Sequence, residues 1–270
     1  MADGMWNDNE HSTRQWMLGA AALVAAVLVG FLVWRHYSTP APEPGATPVA
    51  RAVPPVPESA PPIANPIPPE PPGAALPALN DSDQLVRDSL AGVIGKAPIA
   101  AYLVPQNIVR HIVATVDNLP RKKLAAELRP VKPTPGQTVT TAQGDVVALS
   151  EDNFARYAGV VRVVQSTDVK ALAVVYQRLY PLFQQSYEDL GYPGKYFNDR
   201  LVAVIDDMLA APEVPAPIPL TQPKVFYEYA DPALEGRSAG QKLLIRMGPA
   251  NARVIKAQLR AFRAQIVNRK

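Results

Sequence analysis

The nineteen residues at 16–34 carry no charged side chain and consist mostly of alanine, leucine and valine. As a helix they rise about 28 Å, close to the thickness of a bilayer's hydrocarbon core. Trp16 and Trp34 stand at the ends, where indole rings favour the membrane interface, and Arg14 and Arg35 bracket the segment. A cleaved signal peptide is the rival reading. Its apolar core would be shorter, and a site with two small residues should follow, whereas Trp34-Arg35-His36-Tyr37 and then prolines follow here. The expectation is an uncleaved single-pass anchor behind a short tail, residues 1–15. One arginine on each near flank leaves the positive-inside rule almost without a vote. A long stiff spacer is most useful for crossing an envelope. The expected location is therefore the bacterial inner membrane, with a cytoplasmic N-terminus and an exported, periplasmic C-terminal domain.

The spacer is the next segment. Residues 40–72 hold 14 prolines. Proline lacks an amide donor and fixes φ, so neither helix nor sheet can form there. Residues 35–75 are read as a disordered, proline-rich linker of polyproline II character, with a reach of roughly 100 Å when extended. Such a segment buries no core, and the expectation is that residues 40–72 add nothing to folding of the domain. Pro54-Pro55-Val56-Pro57 could also be bait for a proline-recognising groove.

Residues 76–270 read as a globular, mainly α domain with a minor β-hairpin or short strands. Asn80-Asp81-Ser82 offers caps to a helix closed near Gly95. A second helix starts near Pro105 and carries Ile108, Val109, Ile112, Val113 and Val116 at helical spacing. Residues 138–149 suggest a hairpin around Gly144-Asp145, and Ser150 caps a helix through Val161. Between Asp168 and Gly191, the side chains of Leu172, Tyr176, Leu179, Tyr180, Phe183, Tyr187 and Leu190 share one face, and Pro181 should kink or divide the helix. Asn198-Asp199 reads as the cap of the following helix. Residues 225–229 read as a strand, and one helix should run from Asp231-Pro232 to Met247-Gly248 with Gly236 and Gly240 as weak points. Pro249 opens the last helix.

The domain resembles a bacterial family known only as a domain of unknown function, found in proteins with an N-terminal membrane segment and a proline-rich stretch. The resemblance rests on YPLFQQSYEDLGYP (180–193), KYFNDRLVAVIDDMLAAPEV (195–214) and SAGQKLLIRMG (238–248), with shorter matches in ATVDNLP (114–120) and DNFARY (152–157). It implies no activity, ligand or catalytic residue.

Composition removes most chemistries. There is no cysteine, so thiolate metal sites, disulfides and cysteine nucleophiles are excluded. His111 is the single histidine of the domain, which leaves a zinc site to carboxylates. No calcium-loop or phosphate-loop spacing occurs. Gly236-Arg237-Ser238-Ala239-Gly240 matches the nucleophile elbow Gly-x-Ser-x-Gly. That elbow needs a strand directly before its serine, and here Pro232 and a helical pattern intervene. Asp199 and Asp206 share a helix face and could in principle form a carboxylate pair, although a cap and a solvated charge explain them. No catalytic, cofactor-binding or metal-ligating residue is assigned, and no cofactor is expected.

Two surfaces remain for a partner. One is the aromatic set, of which Tyr187, Tyr192 and Tyr196 stand nearest the Gly191-Gly194 turn. The other is a basic stripe on the last helix, Arg253, Lys256, Arg260 and Arg263. From residue 76 onward there are 24 lysines and arginines against 18 aspartates and glutamates, a mild bias toward anionic partners. The expected function is a membrane-tethered, non-enzymatic binding or scaffold module of the cell envelope with an envelope-protein or cell-wall partner. Two alternatives stand beside it: an envelope enzyme acting on cell-wall polymer through acidic residues, and a cytoplasm-facing domain whose C-terminal basic helix meets anionic lipid or nucleic acid. Nucleic acid is disfavoured.

Overall fold

Ten α-helices and four short strands make up what the computed structural model describes, residues 62–68 and 75–267. All of these residues belong to one unit, Ser59–Lys270. The expected tail, the expected anchor at 16–34 and most of the expected linker lie outside the described residues. Among the described residues, no helix is long and apolar enough to cross a membrane.

The helices are α1 (Asp83–Ile94), α2 (Lys96–Tyr102), α3 (Ile108–Asn118), α4 (Asp152–Ala155), α5 (Ala158–Ser166), α6 (Val169–Asp189), α7 (Phe197–Leu209), α8 (Pro232–Glu235), α9 (Ala239–Met247) and α10 (Pro249–Ile266). The strands β1 (Thr140–Gln143), β2 (Val146–Leu149), β3 (Ile218–Thr221) and β4 (Glu228–Tyr229) form one antiparallel sheet in sequence order. The domain is mainly helical with a small sheet, as expected.

The main core lies between α1, α3, α6, α7 and the end of α10. Val86, Ile108, Val109, Val113, Leu179, Phe183, Phe197, Ile205 and Ile266 are all buried there. The amphipathic pattern of α6 explains its place. Its Tyr176, Leu179, Tyr180, Phe183 and Tyr187 all turn inward. Leu190, read as part of that face, is the C-cap and is exposed. Helix α6 is not divided at Pro181. Pro181 lies on the exposed side, where water can satisfy the carbonyl its missing N–H leaves free. A second cluster, including Val161, Val204, Met208, Leu244 and Met247, joins α5, α7, α9 and α10. A third packs Leu149, Ile218 and Tyr229 of the sheet on Ile245 of α9.

Several boundaries differ from the sequence reading. Helix α2 was missed, because Pro98 sits within its first turn and masks the signal. The expected helix from Ser150 is divided into α4 and α5. The helix from Asp231 stops at Gly236 and restarts after Ser238. Strand β3 lies in a stretch with a proline at every second position from Pro215 to Pro219, which hides its pattern. Only Glu228 and Tyr229 of the expected strand 225–229 pair with it. Gly248 turns the chain between α9 and α10 at φ 83°, and a Cβ there would lie 2.4 Å from the Phe154 ring, so both backbone and space demand glycine.

Candidate functional site

Asn198 is the centre of the polar chemistry inside the domain. It was read as a helix cap, but it is fully buried in the first turn of α7. Its Oδ1 accepts from the Tyr176 hydroxyl at 3.0 Å, and its Nδ2 donates to the Ile266 carbonyl at 2.9 Å and to the Asn65 carbonyl at 2.9 Å. Its backbone N–H donates to the Tyr180 hydroxyl, which in turn donates to Gln184. Burial pushes the Tyr176 and Tyr180 phenols well above their ordinary value. Every hydroxyl that the inward face of α6 brings to this point thus has a partner, which is what lets tyrosines sit in a core.

The same turn of α7 captures residues 62–68, part of the stretch read as a free linker. The Asp199 carboxylate accepts from Ala64 N at 3.0 Å, Asn65 N at 2.7 Å and Asn65 Nδ2 at 3.0 Å. Tyr196 accepts from Ile67 N at 2.9 Å, and Ile67 packs against the main core. The expectation that all of residues 40–72 stand apart from the domain is therefore corrected for 62–68. Asp199 neither caps α7, whose N-cap is Tyr196, nor pairs with Asp206. A sequence signal was present: Asn65 is the single asparagine between 40 and 72, and Ile63 and Ile67 are its single isoleucines.

Asp117 forms a second buried polar centre. It falls on the apolar stripe of α3, four residues after Val113, and is 2% exposed. Its Oδ2 accepts from Arg121 at 2.7 Å and from the Tyr192 hydroxyl at 3.2 Å, while Arg200 Nε lies 3.2 Å from its Oδ1. The bond to Asp117 raises the Arg121 guanidinium further above its ordinary value. This carboxylate ties α3 to α7 and to the turn after α6.

The residues singled out as a partner surface fall into these arrangements. Tyr187 is buried rather than at an exposed edge, and its ring stacks on Tyr192 at 4.6 Å. It still lines a small cavity of about 200 Å³ together with Tyr196, Arg200 and the captured Pro62. Tyr192 and Tyr196 are half-buried with their hydroxyls engaged as described. The basic stripe is not a continuous face. Lys256 is buried and donates to the Ala211 carbonyl. Arg253 pairs with Glu213 at 3.0 Å, and Arg263 holds Asp206 through two bonds of 2.7 and 2.9 Å. That bidentate grip raises the Arg263 guanidinium. Arg260 is exposed.

The acidic residues of the 187–207 region are engaged as well. Asp189 pairs with Arg110, Glu188 accepts from Gln184, and Asp207 accepts from Ser238 and Gln241. Ser238 is the N-cap of α9, accepting from Gln241 N at 3.1 Å while donating to Asp207 at 2.6 Å. Gly240 sits inside α9, where a Cβ would lie 2.9 Å from Met208. The Gly-x-Ser-x-Gly spacing thus serves a helix cap and a close helix contact. Among the described residues, no group of three or more His, Asp or Glu side chains is placed to hold a metal ion.

The family described as Protein of unknown function (DUF3014) matches residues 108–263, more than half of the chain. The chain belongs to this family. The matched span runs from the first residue of α3 into α10, and so contains both Asp117 and the Asn198–Asp199 seat. The captured strap and helices α1 and α2 lie before it. No curated protein and no solved structure matches the chain.

Proposed function

We propose that the chain is a membrane-tethered, non-enzymatic binding or scaffold module of the bacterial cell envelope. Residues 16–34 serve as its single span, the proline-rich tract spaces it from the bilayer, and the domain is exported to meet an envelope protein. The observation that carries this reading is the apolar end of the sheet. Val147 pairs with Leu220, and Leu220 with Tyr229, so the β1–β2 turn and the β3–β4 connection project from the same end. Val225 and Phe226 in that connection are 78% and 81% exposed, and Val146 beside the first turn is 54% exposed. Large apolar side chains grouped in this way mark an interaction site rather than scattered surface.

The alternatives draw less support. An enzyme using acidic residues of the 187–207 region would need carboxylates free to act on a substrate, and those at Asp199, Asp206 and Asp207 already hold the fold together. Binding of anionic lipid by the last helix would need a continuous set of free cations, and Arg253 and Arg263 are paired while Lys256 is buried.

Two measurements test the proposal. Alkaline phosphatase fused at Lys270 should be active; an inactive fusion beside a fluorescent cytoplasmic reporter would overturn the exported location. Crosslinking of the tagged full chain in cells should yield a protein adduct that disappears in Phe226→Asp. An identical adduct pattern in both would show that this end of the sheet is not the binding surface.

A further inference from the structure

A cleft of about 430 Å³ lies where α1 and α2 meet the extended residues 103–105. Its geometry follows from the local sequence. Gly95, at φ 97°, ends α1 and lets α2 begin at once. Beyond α2 the chain is clipped to a neighbouring segment, with Val104 N donating to the Pro130 carbonyl at 2.9 Å and Lys132 N to the Tyr102 carbonyl at 2.7 Å. Ile99, Leu103 and Val104 give the cleft an apolar lining, and it includes no aromatic ring, hydroxyl or carboxamide. Arg87, Lys96 and Lys132 line it too, with Asp88 as the single acidic side chain.

These cations differ from Arg253 and Arg263 of α10, which are paired with carboxylates. Among the described residues, none of the three forms an ion pair with a carboxylate, and Asp88 is occupied by Gln84 at 2.9 Å. Arg87 and Lys132 are held across the cleft by bonds to the Pro105 and Ala100 carbonyls, at 3.0 and 2.8 Å. Each bond uses one donor of a group that has five or three. The volume lies within the usual range for small-molecule sites, roughly 300–1,000 Å³.

We propose that this cleft binds one anionic amphiphile, an alkyl chain whose carboxylate or phosphate head is held by Arg87, Lys96 and Lys132. The net positive charge of the lining, three cations against the one carboxylate of Asp88, selects the head, and the apolar side chains select the chain. A nucleotide or sugar would find no stacking surface and no hydroxyl-reading groups. The cleft lies almost wholly outside the family-matched span, to which only Lys132 belongs, so the site is a property of the segment that precedes it.

The test uses the full chain reconstituted in neutral phosphatidylcholine discs with a diazirine-bearing fatty acid. After illumination, adducts mapped by mass spectrometry should fall on residues 87–105 and on Lys132. Dodecanoate should compete, and dodecanol should not. Lys96 and Ala100 are exposed, so changes there leave the core intact. Lys96→Glu should weaken labelling by about threefold or more, and Ala100→Trp, which fills the cleft, should abolish it. Unchanged melting temperatures confirm that both variants fold; if Ala100→Trp melts early, Lys96→Glu carries the test. Discs holding a diazirine-bearing phosphatidylglycerol and no free acid separate the sources. Labelling there identifies a lipid as the ligand, and labelling by the fatty acid alone identifies the free acid. Labelling by neither, equal competition by dodecanol, or wild-type labelling of both variants overturns the proposal.

Discussion

A fragment beginning at Ser59 should be more stable than one beginning at Ala75, because residues 62–68 pack on the domain. Three N–H groups converge on the Asp199 carboxylate and a fourth reaches the Tyr196 hydroxyl. A fifth bond runs from Asn198 Nδ2 to the Asn65 carbonyl. Bonds of this kind contribute about 0.5–1.5 kcal/mol each, more when the acceptor is charged, and one of these is exposed, so together they supply about 5 kcal/mol. Half-burial of Ile67 adds about 1 kcal/mol. Fixing the backbone costs about 1–2 kcal/mol per residue. Three of the seven residues are proline, whose φ is already set in the unfolded chain, which brings the total cost to about 4 kcal/mol. The strap therefore stabilises the domain by about 1–2 kcal/mol, and its removal should lower Tm by about 3–6 °C. Thermal and urea denaturation of the two fragments measures this directly. Asp199→Ala in both fragments supplies a cycle. It should cost about 1–2 kcal/mol in the longer fragment, and only the few tenths expected of a helix-terminal charge in the shorter. Midpoints within about 1 °C of each other, or an equal cost of Asp199→Ala in both, would refute the reasoning.

Asp117→Ala should cost about 2–3 kcal/mol in chemical denaturation, below the usual figure for a buried pair because Arg121 and Arg200 keep some access to water; a neutral result would mean that the carboxylate does not tie α3 to α7. Phe183→Ala should cost about 3–5 kcal/mol, since its ring stacks on the buried Phe197, whereas Tyr187→Phe keeps the ring against Tyr192 and should change stability by less than about 1 kcal/mol by the same assay. The last expectation concerns pH. Burial by itself would raise the Glu235 carboxyl, but the bonds from the Lys242 ammonium and Tyr229 N–H outweigh it and hold the group below its ordinary value of 4.5. A depressed folded value means stability that is present above the unfolded value and lost as pH falls through the folded one. Glu235→Gln should thus destabilise by about 1 kcal/mol at pH 7, and the gap should close as pH falls below 4.5 and through the folded value; a gap of constant size would dismiss the ion pair as its cause.

What the sequence made legible was the part governed by periodicity. The stripe on α6 and the stripe on α3 both predicted a buried face, and those residues, Leu172 and Leu190 apart, line the main core. Periodicity also held the clue to Asp117, a carboxylate on an apolar stripe, which has to be paired once the stripe is buried. Polar residues with a local explanation misled. Asn198 and Asp199 look like a helix cap and Arg253 to Arg263 like a charged face, because each pattern is defined by neighbours in sequence. Their partners lie far away: Asn198 bonds Asn65 and Ile266, and Arg263 bonds Asp206. The strap shows the same limit from the other side. A dense run of prolines opposes helix and sheet within a segment, but says nothing about an extended chain whose amides are satisfied by another element. Ala64, Asn65 and Ile67 satisfy theirs on Asp199 and Tyr196, and Asn65 and Ile67 are among the residues that set this stretch apart from the surrounding prolines. A break in composition inside a linker is therefore a reason to look for a docking site on the domain it joins. Here that site is built from the turn of α7 that also orders the tyrosines of the core, so the strap and the core share one polar network, and loss of either should be felt in the other.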